Sequence, residues 1–155
     1  MTLVNLAALA LLATGAGDYN YAEQTIRDAG VDSVAAKELA GYIVGYAHAQ
    51  RLSPRVVLAV ARVESTFRRD VVSSAGALGV MQVMPLIWGV EFQDECGYWY
   101  KGDARTNICI GVHILARNLN LTNDLEDALS MYYCGYPAHR SRVGTEYAAK
   151  VMRLV

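Results

Sequence analysis

The sequence predicts an all-α fold, and three observations support this prediction. Apolar residues recur every three to four positions, as at Leu39, Ile43 and Ala47, which is the spacing of one helix face. Residues that cap helices stand directly before several of these segments. No run alternates apolar and polar residues over the length of a strand. We therefore expect helices joined by short loops.

Length and composition favour one folded domain. The chain has 155 residues, of which 54% are hydrophobic and 19% charged; this size supports a buried core, and this composition argues against disorder. The net charge is −1, whereas proteins that bind nucleic acids neutralise phosphates with an excess of Lys and Arg. We therefore expect no nucleic-acid partner. A neutral substrate such as a glycan fits this balance.

The first seventeen residues have no charged side chain, and residues 3–13 are almost wholly apolar. An export signal is one interpretation, although no Lys or Arg precedes Arg27. Contact with a membrane is the second, although the run is shorter than the roughly 20 residues that span a bilayer. A terminal helix docked on the core or on a partner protein is the third. All three stay open for this segment, 1–17.

The next two helices are predicted by periodicity and capping. Residues 18–30 are polar and predict a loop with at most a short helix over 22–29. Residues 34–50 have helical periodicity. Ser53 and Pro54 then start a helix over 55–65, because Ser is a good cap and Pro suits the first helical position. That helix is apolar around much of its circumference, which is typical of a buried helix.

Glu64 stands near the C-terminal end of this buried helix. A negative charge is unfavourable there, because the helix dipole presents its negative end. Burial and the dipole both raise the pKa of a glutamate, and a raised pKa is what a proton donor needs near neutral pH. The simpler alternative is a solvated charge at a helix end.

The second half of the chain alternates loops and helices. Residues 71–79 predict a loop and 80–88 a short helix interrupted at Pro85. The irregular stretch 91–103 has three adjacent aromatic residues at 98–100, which could stack on sugar rings or cover the core. A helix is predicted over 107–119. A capping box at Asn123 and Glu126 predicts a second helix, which reaches Tyr133. Thr145 caps a last helix over 146–154.

The three cysteines are Cys96, Cys109 and Cys134. One disulfide and one free thiol are compatible with this odd number. Cys109 and His113 lie four residues apart on one helix face, with Cys96 nearby, but a metal site needs about four ligands and no fourth is evident. We therefore expect no metal and interpret these residues as structural.

Blocks of chemically distinctive residues follow one another along the chain: ESTF (64–67), SSAGALGVMQVMP (73–85), RTNI (105–108) with Gly111 and Leu115 behind it, ALSMYYCG (128–135), and TEY (145–147) with Val151 behind it. In the same order, they resemble the blocks of the soluble lytic transglycosylase (SLT-type) catalytic domain. The resemblance covers residues 34–154 and implies a lysozyme-like helical fold with a substrate groove. It places a catalytic domain at 34–155. The chain departs from the family pattern at Tyr133, where the family has Asn, and at Met131, where it has Ala.

The resemblance also implies an activity, cleavage of peptidoglycan by a lytic transglycosylase that uses no cofactor. Glu64 would protonate the oxygen between N-acetylmuramic acid and N-acetylglucosamine. As a carboxylate it would then take the proton of the muramoyl C6 hydroxyl, which closes onto C1 as a 1,6-anhydro end. The residues that would bind the substrate are Ser73, Gln82, Tyr132, Tyr133, Gly135 and Tyr147. The simpler interpretations are a loop cap for Ser73, a backbone-bonded amide for Gln82 and core packing for Tyr147.

Two other functions stay open. A hydrolysing muramidase of the goose-lysozyme kind would need a second carboxylate, for which Asp70 and Asp103 are candidates. A mainly structural component of a virion or secretion complex would keep the fold without the activity. The expected partners are peptidoglycan glycan strands, together with membrane, virion or secretion-complex proteins that contact the N-terminal segment. The expected location is the cell wall or periplasm, reached by export or with a virion.

Overall fold

Helices make up the regular structure of the part of the chain described by this computed structural model, residues 6–136 and 138–155. They are α1 (Leu6–Asp28), α2 (Ser33–Ala49), α3 (Pro54–Ser65), α4 (Pro85–Trp88), α5 (Gln93–Cys96), α6 (Ala104–Thr122), α7 (Leu125–Cys134) and α8 (Arg142–Met152), with a 3-10 turn at Ala138–Arg140 before α8. These ranges contain two isolated β-bridges and no strand. The all-α prediction is confirmed.

The polar loop predicted over residues 18–30 is wrong for residues 18–21, because α1 continues to Asp28. The short helix allowed over 22–29 is confirmed as the last part of α1. Ala22 and Ile26 are completely buried and lie four residues apart on one face of the polar second half of α1. Helix α1 packs against α2. Residues 1–5 of the predicted N-terminal segment lie outside the described residues. Within the described ranges, no helix combines the length and the apolar character needed to cross a membrane.

Helix α3 starts as predicted, with Ser53 in an extended conformation and Pro54 at the first helical position. Most of its residues are buried, including Val57, Val60 and Ala61, none of which is exposed at all. The helix ends at Ser65 and is followed by Thr66, which has left-handed backbone angles (φ 53°). Helix α3 packs against α1, α2 and α8, and Val63 and Glu64 in its last turn are partly buried.

The central helix is α6, which packs against α2 on one side and α7 on the other. Its N-terminus is capped by Asp103, whose carboxylate accepts a hydrogen bond from the Thr106 N–H at 3.3 Å. Twelve of its nineteen residues are buried, which confirms the helix predicted over 107–119 and lengthens it at both ends. The core therefore forms around α6.

Two predicted caps are wrong by one and by four residues. Helix α7 is capped by Asp124 and not by Asn123, which lies in the left-handed region at the end of α6. Helix α8 is capped by Ser141 and starts before Thr145. Each true cap accepts a hydrogen bond from a backbone N–H three residues later. Several residues that can act as caps stand close together at both places, so the local sequence did not decide between them.

The short helix predicted over 80–88 is confirmed only for Pro85–Trp88, because residues 79–83 form a turn bridged between Leu78 and Val83. The segment that follows α4 returns to the core at Cys96, which forms a disulfide with Cys109 on α6. Cys134 is a free thiol. One disulfide and one free thiol were a possibility that the sequence left open, and the structure has this arrangement.

Candidate active site

Glu64 lies in the last turn of α3, and its carboxylate faces helix α8. The Tyr147 hydroxyl donates a hydrogen bond to Glu64 Oε1 at 2.5 Å. Tyr147 is 7% exposed, because α8 packs directly against α3. The structure therefore joins two residues that are 83 positions apart in the sequence, and both were predicted as site residues.

Burial raises the pKa of Glu64 to about 7, above an ordinary value of 4.5. The hydrogen bond from Tyr147 and the positive charge of Lys150 act in the opposite direction, but less strongly. Near neutral pH, the protonated acid and the carboxylate are therefore both well populated. This is the condition for a group that donates a proton and takes one back.

Tyr132 and Tyr133 approach the same region from α7. The Tyr132 hydroxyl donates to the Met81 carbonyl at 2.8 Å, and the Tyr133 ring stacks on Tyr147 with ring centroids 4.7 Å apart and planes inclined by 13°. Burial, followed by the nearby charge of Glu64, holds the pKa values of Tyr132 and Tyr147 well above 10. Both phenols therefore keep their protons and act as donors.

A cleft of about 290 Å³ opens beside Glu64. Its lining comes from α3, α7 and α8 and consists of Val63, Glu64, Tyr133, Val143, Glu146, Tyr147 and Lys150. The four α8 residues lie at intervals of three and four positions and thus share one helix face. Val63, Val143, Glu146 and Lys150 were not predicted as site residues, although this spacing around Tyr147 was readable in the sequence.

Two predicted site residues, Ser73 and Gln82, form hydrogen bonds with the backbone of the loop over residues 71–83. Ser73 Oγ accepts a hydrogen bond from the Ala77 N–H at 3.0 Å. Gln82 Nε2 donates to the carbonyls of Val71 at 3.1 Å and Gly79 at 3.0 Å. Both side chains make the internal contacts of their simpler interpretations, and neither lines the cleft at Glu64. Their contact with substrate stays a prediction.

Two residues that the sequence did not single out hold this loop against the helices. Ser65, next to Glu64, donates from Oγ to the Val80 carbonyl at 2.8 Å. Asn107 accepts from the Met81 N–H at 2.8 Å through Oδ1 and donates to the Leu78 carbonyl at 2.9 Å through Nδ2. Asn107 is 1% exposed. An amide within the apolar stripe of α6 was the signal in the sequence.

Gly135, also predicted as a site residue, ends α7 with φ at 71° and donates its N–H to the Met131 carbonyl at 2.8 Å. It does not line the cleft at Glu64. The structure thus brings Tyr132, Tyr133 and Tyr147 to Glu64, and places Gly135 at the helix end that follows them.

The cluster of Cys96, Cys109 and His113 has its possible ligand atoms within 4.8 Å of one another. The two sulfur atoms are bonded to each other, however, and a disulfide does not supply the thiolates that bind zinc. His113 Nδ1 lies 2.9 Å from the Cys109 carbonyl. In this oxidised state, the cluster is structural.

Among known proteins, this chain is similar to transglycosylases. Residues 41–154 match the transglycosylase SLT domain. A protein of Enterobacteria phage PRD1 described as a transglycosylase is 33% identical over 112 residues, and the matched region covers 71% of this chain and 40% of that protein. The chain thus spans less than half the length of this relative.

A solved structure of the lytic transglycosylase Slt from Pseudomonas aeruginosa, an inactive glutamate-to-glutamine mutant, has the same fold. The two structures superpose with a TM-score of 0.63 at 21% sequence identity, over 72% of this chain and 22% of that one. The lysozyme-like helical fold is confirmed. Because the domain match covers most of the sequence, this chain belongs to the transglycosylase SLT domain family.

Proposed function

We propose that this protein is a peptidoglycan lytic transglycosylase that cleaves the β-1,4 bond between N-acetylmuramic acid and N-acetylglucosamine. One observation carries the proposal: a glutamate with a pKa of about 7 lies at a cleft and accepts a hydrogen bond from a buried tyrosine. Membership of the SLT family agrees with it. The domain that carries this activity comprises residues 34–155.

The chemistry needs one carboxyl group in two protonation states. Protonated Glu64 donates its proton to the glycosidic oxygen, the bond to C1 breaks, and the N-acetylglucosamine leaves as an alcohol. The Glu64 carboxylate then takes the proton of the C6 hydroxyl, whose oxygen forms the new bond to C1. The products are a 1,6-anhydromuramoyl end and the starting form of the enzyme, so water is not consumed. A site that excludes water favours this second step.

The substrate contacts of this proposal are divided between the cleft and its surroundings. Tyr133 and Tyr147 lie on the cleft wall and would meet the sugar that is being cleaved. Tyr132 supports the Met81 turn from beneath. Ser73, Gln82 and Gly135 lie outside the lining at Glu64, and their contacts would be with sugar units farther along the glycan strand.

A hydrolysing muramidase is the second candidate, because a second carboxylate, Glu146, lines the same cleft. In a hydrolase this group would activate a water molecule for attack on C1. Glu146 is exposed and paired with Arg142 at 3.1 Å, which favours a solvated role. The earlier candidates Asp70 and Asp103 are not among the lining residues, and Asp103 caps α6.

Digestion of purified sacculi followed by mass spectrometry of the released muropeptides tests the proposal. We expect wild-type protein to release 1,6-anhydro ends, and Glu64→Gln to lose at least about 100-fold in rate because it cannot supply the proton. Glu126→Gln, a change at an exposed glutamate outside the cleft, is the control with unchanged rate. Reducing ends would support the hydrolase instead, and an inactive wild-type protein would support a mainly structural virion or secretion-complex role.

The biological setting that we propose is local opening of the bacterial cell wall by a phage protein. The support is the phage origin of a 33% identical transglycosylase. In that setting the protein acts on peptidoglycan glycan strands in the periplasm, with virion proteins as partners of its N-terminal segment. A secretion apparatus would need the same local activity and is the alternative setting.

A further inference from the structure

We propose that Tyr133 is a positioning residue that acts through Tyr147 on the acid Glu64, an inference that rests on the proposed function. In this arrangement, Tyr133 does not touch the reacting atoms. Its ring fixes the orientation of the Tyr147 ring, and the Tyr147 hydroxyl fixes one oxygen of the Glu64 carboxyl group.

The chain of contacts runs from helix α7 through α8 to α3. The Tyr133 and Tyr147 rings are nearly parallel, with centroids 4.7 Å apart, which is within the range of favourable aromatic pairs. The Tyr147 hydroxyl then donates to Glu64 Oε1. A phenol hydroxyl lies in the plane of its ring, so the ring orientation determines where this donor points.

The two tyrosines have different surroundings. Tyr147 is almost completely buried, whereas 54% of Tyr133 is exposed at the cleft. Tyr133 therefore covers the Tyr147 ring from the cleft side. The family motif has Asn at this position, and an amide offers no ring face to stack on Tyr147. Positioning through a stacked ring is thus a property of this sequence.

Rigid positioning matters because Glu64 acts twice on different oxygen atoms. The carboxyl group must first reach the glycosidic oxygen and then the C6 hydroxyl, and a displacement of about 1 Å costs on the order of 100-fold in rate. A tyrosine that rocks about its side-chain torsions would move the Glu64 carboxyl group with it. Stacking on Tyr133 restricts that motion.

Two other roles of Tyr133 are distinguishable from positioning. If Tyr133 only contacts sugar, its loss raises KM and is independent of Tyr147. If it only excludes water, its loss lets water reach Glu64 and lowers the pKa of Glu64. Positioning predicts the opposite sign, because loss of the Tyr147 hydrogen bond removes an interaction that lowers the pKa of Glu64.

The ionisable groups that line the cleft or lie near Glu64 are kept constant in the comparison, apart from the two that are varied. They come from α7 and α8 and are Tyr132, Tyr133, Glu146, Tyr147 and Lys150. Leucine is the suitable replacement at position 133, because it keeps apolar bulk over Tyr147 while it removes the ring.

The first experiment is an NMR titration of the ¹³C-labelled Glu64 carboxyl group in four proteins: wild type, Tyr133→Leu, Tyr147→Phe and the double variant. We expect Tyr133→Leu to raise the pKa of Glu64 in the wild-type background and to leave it unchanged in the Tyr147→Phe background. A lowered pKa, or an equal shift in both backgrounds, would overturn the proposal. This measurement needs no activity, so it decides the positioning role even if the proposed function fails.

The second experiment measures kcat and KM of the same four proteins on glycan strands. We expect Tyr133→Leu to lower kcat about 2- to 12-fold, the worth of one aromatic stack, in addition to any rise in KM from the lost sugar contact. When Tyr147 is already Phe, we expect no further loss of kcat. Tyr133→Phe keeps the stacked ring and should restore most of the lost kcat. Tyr21→Leu, a change on α1 away from the cleft, is the matched control. Additive losses, or a loss confined to KM, would show that Tyr133 contacts only the substrate and would leave the proposed function intact.

Discussion

At the scale of single residues, Glu64 couples function to stability. Burial of its carboxyl group favours the neutral form, which suits a proton donor but makes the ionised form costly. Below pH 4.5 the group is neutral in the folded and the unfolded chain. Above about pH 7 it is ionised in both. The charge is then buried only in the folded state, which lowers the free energy of unfolding.

The first prediction at this scale concerns Glu64→Gln, which cannot ionise. A pKa raised from 4.5 to about 7 corresponds to about 3 kcal/mol of unfolding free energy. We expect the variant to unfold at higher urea than wild type at pH 8, by up to about 3 kcal/mol, and to match wild type at pH 4. Urea titrations at pH 4, 6 and 8 measure this difference. A gap that is the same at all three pH values would contradict the assigned pKa.

Sequence alone predicted some site residues for physical reasons and missed others. Glu64 was predictable because it is the only carboxylate of a largely buried helix and begins the ESTF motif. Tyr147 followed from its own motif. A backbone-bonded amide was one interpretation of Gln82, but its particular acceptors, the Val71 and Gly79 carbonyls, were not predictable. They depend on a left-handed backbone at Gln82 (φ 48°). Ser65 was missed because its acceptor, the Val80 carbonyl, lies fifteen residues away.

At the scale of elements, the contact between α6 and the loop over residues 71–83 depends on a glycine. Gly111 lies on α6 under the side chain of Met81, and a Cβ atom at this position would lie 2.7 Å from Met81 Cβ. Real Cβ atoms do not approach so closely, so the loop can pack on the helix only where no side chain intervenes. The Gly111 position therefore fixes the depth of the loop.

We predict that Gly111→Ala destabilises the protein by about 1 to 3 kcal/mol, the usual cost of overpacking, and lowers activity by displacing Met81. Gly41→Ala is the matched control on α2, where a Cβ would meet open space; there the better helix propensity of Ala should add up to about 1 kcal/mol. Urea unfolding of both variants measures the contrast. Equal effects at the two positions would show that Gly111 serves no packing purpose.

The elements themselves were predictable where one helix face is clearly apolar, as in α3 and α6. The second half of α1 was predicted only as a short helix and not as part of a long one. Its buried face consists of little more than Ala22 and Ile26 and is covered only in the folded molecule. The start of α8 at Ser141 was also not predictable, since Thr145 offered an equally good cap. Local propensity describes a segment, whereas these two outcomes depend on what packs against it.

At the scale of the whole molecule, the disulfide between Cys96 and Cys109 links the segment between α4 and α6 to α6 itself. The bond spans 13 residues, and Thr106 adds a hydrogen bond from its hydroxyl to the Cys96 carbonyl at 3.3 Å. This segment contains no long helix that could pack along the core. The disulfide therefore holds it to the core, as hydrophobic contacts hold the longer helices.

We predict that reduction lowers the free energy of unfolding by about 3 kcal/mol, the value expected for a loop of this length. Urea unfolding with and without a phosphine reductant measures the loss. The double variant Cys96→Ser/Cys109→Ser should show the lower stability in both conditions, and Cys134→Ser should respond to reductant as wild type does. A wild-type protein insensitive to reductant would show that the link adds no stability.

The way in which the Met81 turn is held has a consequence for protein engineering. Its backbone N–H and carbonyl are bound by side chains from two different helices, Asn107 of α6 and Tyr132 of α7. The conformation of this loop is thus encoded mainly outside the loop. A designer who transplants residues 71–83 into another helical scaffold would lose the shape, whereas a graft that includes these two helix positions and Ser65 would carry the fold of the loop with it.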